Sequence, residues 1–478
     1  MSKLTIGSKL AYGTGSMAFA VKDVAFGMFV LLFYTQVLGL SGSLTGLAIF
    51  LSVMWDAISD PMIGAWSDRL KTRWGRRHPM MLAGGIPLGL SFVLLFNPIE
   101  VVLGTQWLLF SWLLMSVISL RTFLTVFIIP HTAMGAEISD DYYERTSIVS
   151  FRTNLAWLAG ILLPALTLTL IFATVDGKDG RFIVENYHRY GWVSCIVVIV
   201  VCAFCAFGTQ QFIPRLKEVA NRHSPTPGFL GMVRDAVETF GNINFRRLVV
   251  LDIAVGATLG ILGALNMIAW TYFWELTVQQ IALLSMASLI AVIVIFPTMS
   301  RMASRWQKQD LLVFAVAGMA INTVWFVPGR LLGWLPENGT TLLFVIVFVQ
   351  WMITTALSII RSVANHSIMA DIADEHELKT GRRQEGVFFA AAAFAQKFVM
   401  GFGYMIGGPL LDVIGLETGM APGEAPTSAL FGIGIVIGPV MVILLMVPWW
   451  MATKLDVSRE RQMEVQNKLD DRNPKPAH

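Results

Sequence analysis

Apolar runs of about twenty residues recur from one end of this chain to the other, and that recurrence leaves few folds open. The stretch from Trp192 to Phe207, for example, holds no charged residue. As a helix, such a run matches the roughly 30 Å hydrocarbon thickness of a bilayer. Composition agrees: 55% of the 478 residues are hydrophobic and only 14% are charged. A soluble domain carries about a quarter charged residues. We therefore expect an all-α integral membrane protein with twelve spans, the first near 16–39, the eleventh near 386–415 and the last near 426–453.

Twelve spans put both termini on one side, and the basic residues say which side. Lys3, Lys9, Arg69, Lys71, Arg73, Arg76, Arg77 and Arg145 fall on the terminal face, with the basic residues of the central loop and the tail. Lys178, Arg181, Arg189 and Arg330 fall on the other. The positive-inside rule then predicts that both termini are cytoplasmic. The net charge of +3 matters less than this distribution. Cys195, Cys202 and Cys205 share one apolar run, which suits packing rather than a metal site or a disulfide framework.

The longest polar interruption, 213–245, carries Pro214, Pro225 and Pro227 and divides the chain near its middle. The expected organisation is a six-helix bundle over 1–212, a cytoplasmic loop over 213–245, a second six-helix bundle over 246–453 and a cytoplasmic tail over 454–478. The halves resemble each other. Asp60-Pro61 followed by Asp68-Arg69 parallels Phe296-Pro297 followed by Ser304-Arg305. Ala136-Glu-Ile-Ser-Asp140 parallels Ala370-Asp-Ile-Ala-Asp374 at nearly the same offset. Tandem halves of this kind characterise transporters in which one half rocks against the other around a midplane site.

Charges inside the spans are the candidate functional groups, because burying them in lipid is otherwise unexplained. Asp56 and Asp60 are one helical turn apart on a single face. Two adjacent carboxylates repel, so the pair needs a proton, a basic partner or a metal cation. One reading is a site for a hard cation such as sodium, or for a shared proton, with Ser52, Ser59 and Thr125 nearby as neutral oxygens. The other is a structural ion pair with Lys22 or Lys397. The repeat puts Val292 and Phe296 opposite the pair, so a cation site here belongs to the N-terminal half alone. Lys22-Asp23 in span 1 reads either as a local charge-neutralised pair or, the favoured reading, as a substrate contact. Lys397, deep in span 11, is placed to complete a network across the halves. Arg121, His131 and Arg361 stay open between lining a cavity and pairing locally. Asp252, close to Arg246 and Arg247, reads as part of a membrane-surface cluster. The loop Asp68-Arg69…Arg73…Arg76-Arg77 is at least a topology determinant. An acid at a helix C-terminus needs compensating arginines, which also makes the cluster a candidate gate.

These residues carry a family resemblance. Gly64…Asp68-Arg69…Gly75-Arg76-Arg77 resembles the signature between spans 2 and 3 of the major facilitator superfamily. Trp55-Asp56-Ala-Ile-Ser-Asp60-Pro61, Lys22-Asp23, Arg73-Trp74-Gly75-Arg76 and the Asp371…Asp374 segment resemble the glycoside–pentoside–hexuronide:cation symporters, typified by melibiose permease. The resemblance implies a cation site at Asp56, Asp60 and Thr125, with the two aspartates as metal ligands if the ion is sodium. It implies substrate binding by Lys22, Asp23, Arg152 and Lys397, and a gating role for Asp68, Arg69, Arg73, Arg76 and Arg77. Ile128 and Thr132 flank Pro130 where the melibiose type has an acid and a tryptophan, and Ser362 replaces a further tryptophan. Galactoside specificity is therefore not expected to carry over.

The expected function is sodium- or proton-coupled symport of a sugar or glycoside-like solute by a monomer in the cell inner membrane. No cofactor beyond the coupling ion and no nucleic acid is involved. The alternative is a non-sugar substrate such as a lysolipid or an organic anion, since the same scaffold carries lysophospholipid. A nucleophile–base set or a metal motif is absent from the sequence, so an enzyme is not expected.

Overall fold

A chain in lipid has to satisfy its own backbone hydrogen bonds, and each apolar run here does so as a helix. The computed structural model describes residues 4–222, 239–380, 385–416 and 418–472. Among these, eleven helices are long and apolar enough to cross a membrane, and the twelfth carries the apolar segment Phe398–Ile414. The spans of the first half are α1 (Ile6–Val37), α2 (Gly42–Arg69), α3 (His78–Phe96), α4 (Gln106–Glu137), α5 (Tyr142–Leu170) and α6 (Val184–Gly208). Those of the second are α7 (Ile243–Phe273), α8 (Val278–Arg305), α9 (Lys308–Leu331), α10 (Thr341–Thr380), α11 (Glu385–Ile414) and α12 (Thr427–Thr453). A short linker helix, Ile213–Arg222, follows the first half, and a tail helix, Arg459–Arg472, follows the second.

The first span starts ten residues before the expected boundary. Thr5 caps it by accepting a hydrogen bond from the Ser8 amide, and the polar opening turns lie against α5, where Lys9 meets Glu144 at 2.9 Å. That contact puts the starts of α1 and α5 on one face. Gln309 donates to the Ala452 carbonyl, which puts the start of α9 beside the end of α12. We call the face that gathers these termini the basic face.

The repeat extends to the backbone. In α1 the amides of Leu38 and Leu40 reach five and six residues back, to the carbonyls of Phe33 and Tyr34. In α7, about 235 residues on, Trp274 and Leu276 do the same with Ala269 and Trp270. A wide turn closes each helix at the same place, so the two halves share a defect as well as a helix count.

Small residues let the helices approach. A Cβ on Gly46 of α2 would lie 2.5 Å from the Tyr404 carbonyl of α11, and one on Gly260 of α7 would lie 2.9 Å from Gly403 of α11. Span 11 therefore packs against both its own half and α2. In the first half, Gly85 and Gly89 of α3 receive Cys202 and the Cys195 carbonyl of α6. All three cysteines are buried and unbridged.

Candidate functional site

Five charged side chains from α1, α2 and α4 meet in the N-terminal half. Their spacing follows from helix geometry: Asp56 and Asp60 share one face of α2, and Arg121 and Thr125 share one face of α4. The two faces meet residue against residue. Arg121 forms an ion pair with Asp56 and donates through Nε to the Ser52 hydroxyl at 2.8 Å. One turn away the Thr125 hydroxyl donates to Asp60 Oδ1 at 2.8 Å. Trp55 on α2 donates to Thr122 on α4 at 2.8 Å and reinforces the same pairing.

The carboxylate pair is thus divided between two duties. Asp56 has a buried guanidinium as counterion, a partner the sequence did not suggest, and Lys22 lies within electrostatic reach of it. Asp60 accepts from the Thr125 hydroxyl. The Ser59 hydroxyl beside it is buried and makes no hydrogen bond among the described residues. A carboxylate and hydroxyl oxygens make a donor set that suits a hard monovalent cation.

On α1, Lys22 pairs with Asp23 and stacks its ammonium 4.1 Å over the Phe19 ring. Lys22 is buried, whereas the Asp23 side chain keeps 52% of its surface open. Lys22 is within electrostatic reach of Arg121 and Asp56, so α1, α2 and α4 form one charge network. Tyr404 of α11 is buried within reach of Asp23 and Arg121. It carries the second half to the network, a role the sequence reading did not foresee. Its signal was the small-residue pattern of α11 facing Gly46.

Not every expected residue joins this group. Arg152 stands with Tyr12 and His131, about eleven residues along α1 from Asp23, or roughly 16 Å at 1.5 Å per residue. His131 stacks on the Tyr12 ring at 4.5 Å and bonds the Tyr12 carbonyl at 2.8 Å, so it ties α4 to α1. Lys397 lies on α11, but its side chain is outside the described residues. Asp252 differs from its sequence reading. It is buried rather than at the membrane surface, and it accepts from Asn365 of α10 at 3.3 Å. Arg247, its expected partner, bonds the Lys454 carbonyl instead. The α7 helix turns Asp252 inward because five residues on a helix rotate it well away from Arg247.

The arginine loop after α2 closes on itself. Arg77 bonds Ser67 and Asp68 at 2.8 Å each, and Arg76 and Arg77 share Glu137 of α4 at 2.8 and 2.6 Å. Arg215 of the linker helix reaches Asp140 at 2.8 Å. Arg73 lies against Trp74, and Arg69 is exposed. All of these partners lie in the first half or its linker helix. The second half mirrors the arrangement, with Lys308 on Asp371 at 2.7 Å and the tail helix reaching Glu375 through Arg461 at 2.6 Å.

On the opposite face, hydrogen bonds join the halves. Asp412 of α11 accepts from the Gly42 and Ser43 amides at 2.7 and 2.8 Å, capping α2 across the interface. Arg181, 1% exposed, is clamped by Asp179 and donates to Thr271 and the Leu276 carbonyl of the second half. Toward the basic face, α5 and α8 separate around a cavity of about 810 Å3. Thr146, Asn154 and Trp157 line one wall; Leu289, Val292 and Phe296 line the other.

Comparison with known proteins fits this architecture. The family model described as MFS/sugar transport protein matches residues 11–457. The chain belongs to that family. Two Escherichia coli relatives, the inner membrane symporter YicJ and the putative glycoside/cation symporter YagG, are each 24% identical over 87% of this chain and 84% of their own. The sodium-dependent lysophosphatidylcholine symporter 1 of Gallus gallus is 26% identical over 38% of this chain and 33% of its own. Among solved structures, a D-xylose-proton symporter superposes with a TM-score of 0.64 at 13% identity, over 95% of this chain and 98% of that one. The fold is that of the major facilitator superfamily, and the protein is a multi-pass membrane transporter rather than an enzyme.

Proposed function

We propose that the protein is a secondary active symporter in which entry of one cation, sodium or a proton, drives uptake of a sugar or glycoside-like solute by alternating access. The observation that carries this reading is the convergence of Asp60 and Thr125 one turn from the Arg121-held Asp56. The proposed cation site is Asp60 and Thr125, with Asp56 as an electrostatic partner and Ser59 as a further oxygen. Substrate hydroxyls contact Asp23, which is the most open carboxylate of the charge network, and Lys22 holds Asp23 in place. Charge at Asp60 then reaches the solute through Asp56, Arg121 and Lys22. Coupling requires only that cation occupancy change solute affinity, and the same factor acts in reverse. The names of the glycoside and sugar relatives support this substrate class. The positive-inside rule puts the basic face in the cytoplasm, and the relative named an inner membrane symporter supports an inner-membrane location.

Uptake in proteoliposomes under imposed sodium or proton gradients tests the reading. Asp60→Asn is expected to abolish gradient-driven uptake while exchange of bound solute persists. Intact gradient-driven uptake in Asp60→Asn would remove the proposed cation site.

A second reading, an amphiphilic solute such as a lysolipid, is favoured by the apolar walls of the cavity between α5 and α8. Thermal stabilisation by lysophosphatidylcholine and not by sugars would select it, because binding to the folded state alone raises stability.

A further inference from the structure

On the face opposite the basic one, the seam between the halves holds a second cavity, of about 270 Å3. Its walls come from both halves: Thr35, Gln36 and Gln106 from the first, Asp412 and Thr418 from the second. The polar groups there are not all spent on the protein. Gln36 is 2% exposed. Its Oε1 accepts from the Tyr272 hydroxyl at 3.1 Å, while its amide nitrogen has no partner among the described residues. A buried side-chain amide without an acceptor is costly unless water or a ligand supplies one. Asp412 accepts the Gly42 and Ser43 amides and the Ser43 hydroxyl. A carboxylate has about four acceptor positions, so one is left. The first half thus brings unspent donors to the cavity, and the second brings an unspent acceptor.

We propose that this cavity is a regulatory site for a neutral polyhydroxy molecule of monosaccharide size. A hydroxyl group both accepts, as Gln36 requires, and donates, as Asp412 requires. The charge of Asp412 disfavours an anion beside it. The volume falls below the roughly 300–1,000 Å3 of drug-sized ligand sites, which suits a small occupant. Gln36 lies about thirteen residues along α1 from Asp23, or roughly 20 Å at about 1.5 Å per residue, so this site is separate from the charge network. Because its walls belong to different halves, the site is complete only while the opposite face is closed. An occupant binds that form in preference to any other and shifts the population toward it. It therefore holds back the rocking of the halves from a position outside the transport path. This action does not depend on which cation or solute is carried.

Cysteine protection in the purified full-length protein tests it. Thr418→Cys places a thiol at the exposed edge of the cavity, and Cys195, Cys202 and Cys205 are buried. Glycerol, xylose and glucose serve as neutral probes and gluconate as the charged one. At least one neutral probe is expected to slow maleimide labelling of the introduced thiol by the factor 1 + [L]/Kd, about tenfold at about ten times Kd. Gluconate is expected to protect far less. Gln36→Met, added to the Thr418→Cys protein, is expected to abolish protection by removing the amide donors. The seam survives that change, since Tyr272 keeps the Met420 carbonyl as an acceptor at 3.0 Å. Asp60→Asn, added instead, is expected to leave protection intact. No protection by any neutral probe, equal protection by gluconate, or protection retained in Gln36→Met overturns the assignment. Protection lost in Asp60→Asn also overturns it, by placing the bound molecule in the transport path. The symport reading fails separately, on gradient-driven uptake, which leaves the protection result as it stands.

Discussion

At the scale of single residues, the site turns on a pairing that one-dimensional patterns do not reveal. Asp56 and Asp60 stand out in the sequence because two carboxylates within one apolar run need an explanation. Their division does not, because Arg121 is 65 residues from Asp56 in the chain and the sequence does not say which face of α4 meets α2. The ion pair is enclosed, with side-chain exposures of 8% for Arg121 and 15% for Asp56. Removing one member of a buried pair leaves the other uncompensated, at about 3–5 kcal/mol. Asp56→Asn and Arg121→Gln should therefore each lower the melting temperature of the purified protein. The double variant should recover most of the loss, since neither charge then remains alone. A double variant as unstable as the sum of the singles would mean that the two groups act independently. Thr125 was legible for another reason: its place in the span 4 pattern matched the family's, and the structure puts it on Asp60.

At the scale of elements, apolar run length located the helices and polar interruptions ended them, so twelve spans could be read, most with ends a few residues adrift and α1 with its start ten residues late. The wide turns that close α1 and α7 could not be read, because a five-residue hydrogen bond leaves no compositional trace. Nor could the role of Asp412, which in sequence is an acid near the end of a span. In the structure it caps α2 from the other half, accepting two amides and the Ser43 hydroxyl. The positive end of the α2 dipole and the carboxylate attract each other, and the contact holds only while the opposite face is closed. Asp412→Ala should shift the population toward forms open on that face. Spin labels placed on the loops at Gly104 and Trp334 should report a broader and longer distance distribution in the variant than in wild type. An unchanged distribution would show that close packing of α2 on α11 closes this face without Asp412.

At the scale of the whole molecule, the tandem repeat and the charge bias together define a machine with two faces. The basic-face clusters brace each half internally, Arg76, Arg77 and Glu137 in one and Lys308 and Asp371 in the other. The described bonds between halves gather on the opposite face. Two stiff bodies joined at one end and parted at the other can rock, and this structure is the form opened toward the basic face. The solute path should then be reachable from that face alone. Cysteines introduced at Asn154 and Leu289, on facing walls of the cavity, provide the measurement. Cys195, Cys202 and Cys205 are all buried, so the background reaction with a membrane-impermeant maleimide should be small. The introduced thiols should react in inside-out vesicles and resist the reagent in right-side-out vesicles. Adding solute with its coupling ion should slow the reaction in inside-out vesicles, because occupancy lets the halves close over the site. Equal labelling in both orientations would contradict a closed opposite face. Preferential labelling in right-side-out vesicles would reverse the topology inferred from the basic residues.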